Sequence, residues 1–344
     1  MRRKLLILAA LVLVAASYGS YWYSVAELVR GGILDWSTAR RAEGFTVGWD
    51  RYAVGGFPFL LRVTIERPIF GQSGIEPGYT AQAPILVGEA RPWALDRWRL
   101  TATRGARLAI QPGPARPAVT VAANALAGTV QPGEGGDAAS RPGTAVALSA
   151  DGIAVVGPIP LAIAHAGAQT TIPAHAVANH LETWLSASLS LTGVTLPQAV
   201  QPLGDTIDRL AAAVAVKGTI PGGPHREALA AWRDDGGTLE IASFDLVWGN
   251  LRLGAKGTLA LDAALQPVGA LTALIRGYND IVDALAVAGS VRAGDAALAK
   301  LALGFLAKEG PDGAYEISAP LTLQNGYAFL GPARLARLPV FTWE

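Results

Sequence analysis

Four histidines, His165, His175, His180 and His225, are the residues of this chain most suited to metal or acid–base chemistry. His175 and His180 stand five apart, whereas two imidazoles on one helix face require a spacing of three or four. They read as loop or helix histidines rather than a zinc pair. The chain has no cysteine, which excludes disulfides, thiolate zinc sites, iron–sulfur clusters and a cysteine nucleophile. It contains no G-x-S-x-G elbow, no P-loop and no EF-hand loop. Serine, histidine and aspartate for a triad are present, but no local signature selects a set. Asp234-Asp235 adjoins Gly236-Gly237 and suits a solvated helix end; a metal there would need further oxygen ligands. Asp262 falls where a strand passes into a turn. No catalytic residue, metal ligand or cofactor is assigned, and the expectation is a protein that is not an enzyme.

Two kinds of apolar pattern offer binding chemistry instead. Trp93 and Trp98 flank Ala-Leu-Asp-Arg, with Arg91, Arg97 and Arg99 beside them. Such a cluster suits a membrane interface or a lipid headgroup, and equally suits core aromatics with arginine at the rim. A formal net charge of +1 gives no basic surface for nucleic acid. The second pattern is alternation. In Gly55–Phe70, GGFPFLLRVTIERPIF, the residues Phe57, Phe59, Leu61 and Val63 share one parity and are expected on the inner face of a strand entered at Pro58 and left at Pro68. Leu251, Leu253, Leu259 and Leu261 do the same further on, opposite Arg252, Lys256, Thr258 and Asp262. One apolar and one wet face is the signature of antiparallel sheet. These eight residues are the candidate lining of an apolar groove.

The elements that would position them begin with the N-terminus. Arg2, Arg3 and Lys4 precede an uncharged run from Leu5 to Val25. A basic flank stays in the cytoplasm and sends the rest outward. Leu5 to Ala16 fits a signal-peptide core with Ala15 and Ser17 before a cleavage site. The run to Val25, about 20 residues, fits an uncleaved span, with Tyr18, Tyr21, Trp22 and Tyr23 as an aromatic belt at the outer interface. Both readings export the body of the protein. The remaining 26–344 region is apolar rather than disordered: the whole chain of 344 residues is 51% hydrophobic and 16% charged.

Ala26 to Ala42 predicts a connecting helix, weakened by Gly31-Gly32 and closed by Gly44. From Phe45 the period changes to two. Strands are predicted at Ile85–Ala90, Arg97–Thr103, Arg107–Gln111, Asp151–His165 and Trp184–Leu196, with a polar hairpin tip at Gly133–Gly143 and a short helix at Ala174–Glu182. Helices are predicted at Gln201–Ala212, His225–Asp234, Asn279–Val287 and Ala293–Ala307. Asn325-Gly326 is a hairpin signal. A strict two-residue turn pairs Leu323 with Ala328 and sends Tyr327 and Phe329 to the other face; a bulge would not. Phe45–Trp49 (FTVGW) echoes Phe244–Trp248 (FDLVW), so two similar halves, 45–200 and 201–344, are one organisation to test.

Several motifs resemble one bacterial family: GFPF with the strand after it and RPIF, APILVGEARPW, ALAAWRDDGGTLEIASFDLVWGNLRLGAKGTLALD, and the terminal LQNGYAFLGPARLARLP. The chain resembles the family labelled domain of unknown function 2125, over nearly its whole length after residue 25. That family has no established catalytic residues to carry over. The strand blocks and GTLALD are similar to those of AsmA-like envelope proteins. This likeness implies a long curved antiparallel sheet with an apolar inner surface and a link to lipid handling.

The expected fold is α+β and mostly β: a long curved antiparallel sheet with a few short helices, behind an N-terminal transmembrane helix. Residues 1–25 are the anchor or signal segment, 26–44 the connecting helix, and 45–344 the β-rich periplasmic domain. The expected function is binding of lipid or another apolar ligand in the cell envelope, at the inner membrane. The alternatives are a non-enzymatic scaffold with an envelope protein partner, and a hydrolase with an unrecognised site.

Overall fold

The computed structural model describes residues 2–72, 74, 77–113, 116–133, 143–173, 177–289, 291–310, 313–331 and 333–343. Among the described residues the architecture is antiparallel sheet with four helices, the first long and apolar. That helix, α1 (Arg2–Ala42), is continuous through Val25-Ala26 and through Gly31-Gly32. Each glycine costs a helix about 1 kcal/mol; side-chain packing of the helix's second half, described below, offsets this. Gly44, at φ +88°, terminates the helical segment in a conformation that favours glycine.

Two compact units follow: residues 1–132 with 148–159, and 133–147 with 160–344. Their boundary differs from the expected division into 45–200 and 201–344. Residues 134–142 of the expected polar tip lie outside the described residues.

In the first unit, chain neighbours pair in a meander of long strands that break midway. The pieces are β1 (Phe45–Gly48), β2 (Arg51–Gly55), β3 (Leu61–Glu66), β4 (Ile69–Gln72), β5 (Gly78–Gln82), β6 (Ile85–Arg91), β7 (Ala94–Ala102), β8 (Ala106–Gln111) and β9 (Val119–Pro132). β10 (Thr144–Val156) pairs with β9. β1 pairs with β4 from Phe45↔Gln72 to Gly48↔Ile69, and β2 with β3 resumes in phase from Arg51↔Glu66 to Gly55↔Arg62. β3–β6 and β4–β5 likewise share one register. The interruptions fall in line across the sheet, at Trp49-Asp50, Arg67-Pro68, Ala83-Pro84 and Thr103–Gly105. Pro68 and Pro84 have no N–H for the ladder, so the strands bend there. Backbone bonds still cross the line: Asp50 N–H to Glu66 C=O (3.0 Å) and Arg67 N–H to Pro84 C=O (2.9 Å). Arg67 and Asp50 also form an ion pair. The result is a crease, not a strand end: Pro68 does not close the pairing but bends it into β4.

The strand at Gly55–Phe70 also begins later than expected. Gly56 (φ +102°) turns the chain, and Leu60 N–H bonds back to Gly56 C=O at 3.0 Å. A Cβ at Gly56 would meet the Leu60 carbonyl oxygen at 2.8 Å, so the turn requires glycine. Phe57, Pro58 (a cis peptide) and Phe59 therefore belong to the turn, and β3 starts at Leu61.

The second unit is a wider meander of longer strands. Its strands are β11 (Leu161–Ile172), β12 (Thr183–Val200), β13 (Gly204–Lys217), β14 (Thr238–Trp248), β15 (Leu251–Leu261), β16 (Pro267–Arg276), β17 (Lys308–Glu309), β18 (Tyr315–Gln324), β19 (Tyr327–Leu330) and β20 (Ala333–Arg337). α2 (His225–Asp234) lies between β13 and β14, and α3 (Tyr278–Val287) with α4 (Ala293–Leu306) between β16 and β17. Cross-strand partners form apolar rows. One runs Leu191–Leu210–Leu246–Leu253–Ile275–Ile317; another runs Leu185–Val216–Leu239–Leu259–Gly269–Leu323–Ala328. Leu239 and Leu246 have opposite parity. A register shift between Ile241 and Phe244 restores the face.

Three predicted elements differ. Gln201–Ala212 is not a helix: Gly204–Lys217 is β13, paired on both edges. Its alanines favour helix intrinsically, but the partners on either side override that preference. Asp151–His165 is broken, since β10 ends at Val156 and β11 starts at Leu161. Described residues 177–182 form bends and turns rather than a helix. The Asn325-Gly326 turn takes the strict two-residue form: Leu323 pairs with Ala328, and both central residues have positive φ (52° and 74°). Tyr327 and Phe329 do reach the other face, where Arg334 lies 5.1 Å from the Tyr327 ring.

Candidate apolar ligand site

The first unit's inner face has a covered part and an uncovered part. The cover is the second half of α1. Trp22, Val25 and Ala26 pack on Leu61, which is fully buried, with Val29, Val54, Leu95 and Trp98 around them. Trp22 Nε1 donates to the Leu60 carbonyl (3.0 Å), Tyr18 to that of Pro58 (2.5 Å) and Tyr21 to that of Pro92 (2.9 Å). Further along, Trp36 stacks on Phe70 (5.9 Å), and Phe70 on Phe45 (5.5 Å). Burying these large apolar side chains against one helix face contributes on the order of 2 kcal/mol each.

Beyond Phe70 the cover ends and the crease opens a cavity of about 420 Å³. Phe70, Ala81, Leu108 and Val121 are successive cross-strand partners on one side of the crease. Leu86, Ala102 and Leu126 come from the other side, and Ile153 from β10. Gln82 and Arg107 also line it. The volume lies within the roughly 300–1,000 Å³ typical of small-molecule pockets. Such a lining has little to offer a polar solute and suits an acyl chain or another apolar body.

The eight residues expected to line a groove separate into different environments. Phe57 and Phe59 sit exposed in the turn before β3. Leu61 and Val63 are buried, Leu61 directly beneath α1. Leu251 is buried with Leu203, Ala273 and Ile275, and Leu253 packs against that group, under Tyr278, Ile281 and Ala284 of α3. Leu259 and Leu261 are half-buried. None of the eight lines the crease cavity. Its residues escaped the sequence reading because only one to three come from each of several strands, from the four residues of β4 to the 14 of β9, and only pairing brings them together. The available signal was the pair Pro68 and Pro84, each interrupting an alternating run.

Of the expected interface aromatics, Tyr18, Tyr21 and Trp22 hold the turns as described, and Tyr23 is exposed. Trp98 is the core aromatic of its cluster, its Nε1 bonded to Leu95 C=O (2.8 Å), while Trp93 is exposed at a hairpin tip. His165 lies on β11 opposite Thr192, His180 in a turn, and His225 opens α2; His175 lies outside the described residues. Among the described residues no three His, Asp or Glu side chains gather as a metal site. Asp235 caps α2, and Asp262 accepts from Ala264 N–H and Gln266 N–H (2.8 and 2.9 Å), a turn-building role.

In the comparison with protein families, the family described as "Uncharacterized protein conserved in bacteria (DUF2125)" matches residues 22–339. The chain belongs to this family. The match begins at Trp22, the residue that seats α1 on the sheet, and runs through β20. No curated protein matches, and no solved structure does. α1 is long and apolar enough to cross a membrane.

Proposed function

We propose that this is a non-enzymatic protein of the bacterial cell envelope, anchored in the inner membrane by α1, with its body in the periplasm and an apolar ligand, an acyl chain of a lipid, held in the crease. The observation that carries the reading is the crease cavity: an apolar, half-open space on a sheet whose adjoining inner face the chain's own helix already fills. Arg2, Arg3 and Lys4 support the orientation, since basic flanks remain on the cytoplasmic side. No metal or cofactor enters the proposal.

Native mass spectrometry of the full chain after gentle extraction from membranes tests it. The expected spectrum shows protein carrying lipid, and Ala81→Trp, which fills the cavity, loses the adduct while remaining folded. Bare protein only, with no uptake after reconstitution with phospholipid, overturns the reading. Co-purification of a stoichiometric envelope protein in place of lipid would favour the scaffold.

A further inference from the structure

We propose that the β2–β3 and β6–β7 hairpin tips enter the outer leaflet of the membrane, so that the protein grips the bilayer at two turns as well as through α1. This rests on the reading of α1 as a membrane span.

The depth of the tips follows from helix geometry. The side chains that α1 exposes from Leu5 to Val14 are apolar, with 61–72% of their surface free for Leu5–Leu8 and Leu11–Val14. A hydrocarbon core about 30 Å thick takes roughly 20 residues at about 1.5 Å each. With Lys4 at the cytoplasmic surface, the core ends near Ser24. Tyr18 is then about 9 Å inside that boundary by the same rise. Its hydroxyl is bonded to the Pro58 carbonyl, and Tyr21 to that of Pro92, one turn higher. The Phe57 ring is also 5.6 Å from Trp22, edge-on. Both turns are therefore fixed to α1 at the level of the outer leaflet; wherever the helix goes, they go.

What the turns present fits that level. Phe57 is 58% exposed, Phe59 69% and Trp93 54%, and Tyr21, which holds the second turn, is itself 44% exposed. Exposed aromatic side chains on two turns, both bonded to an apolar helix, are surface that water disfavours and the membrane interface favours. Behind Trp93, a cleft of about 800 Å³ is lined by Arg91, Arg97 and Arg99, with Glu89 and Asp96. The Glu89 carboxylate is engaged by Arg62 Nε (2.7 Å). The arginines lie where phosphate headgroups would be, one step outward from the aromatics. A bare anchor helix would leave the sheet free to swivel; two embedded turns fix its strands upright on the leaflet.

The absence of cysteine makes the test direct. Single cysteines at Phe59, Trp93, Leu11 and Arg104 carry a spin label in the full chain, reconstituted into vesicles of phosphatidylethanolamine and phosphatidylglycerol. Collision with oxygen, which partitions into lipid, is compared with collision with a water-soluble nickel chelate. The expected result places labels at Phe59, Trp93 and Leu11 on the oxygen side, and Arg104 on the nickel side. Labels at Leu11 in lipid but at either tip in water overturn the proposal and leave the anchor standing. Labels at Leu11 and both tips in water overturn the anchor and the proposal together. Because the two tip positions are exposed, the labelled proteins should keep the thermal transition of the parent. If a tip-labelled protein loses that transition, Phe57→Cys, exposed in the β2–β3 turn, reads the depth of the tips instead, and a label there on the nickel side overturns the proposal.

Discussion

The inner faces of the two units carry the same alternation of apolar residues and meet different fates. In the first unit α1 covers Leu61 and the sheet then creases at Pro68 and Pro84, leaving a cavity past Phe70. In the second, α3 covers Leu251, Ala273 and Ile275. There the strands run through a bulge in β14 without losing their face. A bulge adds a residue and keeps the surface continuous; aligned prolines remove ladder bonds and fold it. Whether an apolar face becomes core or cavity is thus decided by how the ladder is interrupted, not by the hydrophobicity of the side chains.

The largest effects should come from the closed part of each face. Leu61→Ala and Ile317→Ala remove side chains with almost no exposure, and each should cost about 2–5 kcal/mol. Hydrogen exchange locates the damage: Leu61→Ala should raise exchange in residues 45–111 and spare 238–276, and Ile317→Ala should do the reverse. Equal loosening of both units by either variant would show that the two cores are not separate.

The next contrast sets the crease against the core. Ala273 is buried among Leu251 and Ile275, so Ala273→Val overpacks and should cost about 1–3 kcal/mol. Ala81 borders the cavity, and Ala81→Val should be neutral or stabilise by about 0.5 kcal/mol by filling it. Denaturant midpoints of the two variants check this; a loss at Ala81 as large as at Ala273 would mean the crease is already packed. A third comparison tests the meander itself. A Cβ at Gly71 in β4 would meet the Tyr79 carbonyl oxygen at 2.4 Å, whereas Gly55 in β2 has open space. Gly71→Ala should destabilise by about 1–3 kcal/mol, a strained insertion, and Gly55→Ala by little.

Much of this was legible in the sequence, and the failures have one cause. The apolar run Leu5–Val25, the helices at Ala26–Ala42 and His225–Asp234, the alternation at Leu251–Leu261 and the Asn325-Gly326 hairpin followed from charge, periodicity and turn chemistry, though not the continuity of α1 through Val25-Ala26. Those signals are local. Gln201–Ala212 misled because Leu210–Ala213 favours helix and only the edges of β12 and β14, distant in sequence, make it a strand. Phe57 and Phe59 kept the parity of Leu61 and Val63 across a turn, so alternation alone could not show that Gly56 had reversed the chain. The cavity was invisible for the same reason: its lining comes from seven strands, and no one of them is remarkable alone. The candidate site is a property of aligned interruptions, which a single strand's pattern does not contain.

The smallest expected effect compares two ion pairs. Arg62–Glu89 lies on the outer surface of the first unit, with 51% and 30% of the side chains exposed, and is held by one contact of 2.7 Å. Arg276–Glu316 in the second unit is half as exposed, at 29% and 17%, and both Nε (2.8 Å) and a terminal nitrogen (2.7 Å) reach the same carboxylate oxygen. Solvent screens the first pair, so Glu89→Gln should change stability by at most about 0.5 kcal/mol. The second carries two charge-assisted bonds in a drier setting, and Glu316→Gln should cost about 1 kcal/mol. Raising salt should widen the gap slightly, because screening acts mainly on the exposed pair. Under the proposed headgroup contact the order changes in lipid: Glu89 lines the cleft with Arg91, Arg97 and Arg99, and Glu89→Gln removes a negative charge facing anionic lipid. Cosedimentation with vesicles containing phosphatidylglycerol should rise for Glu89→Gln and stay level for Glu316→Gln.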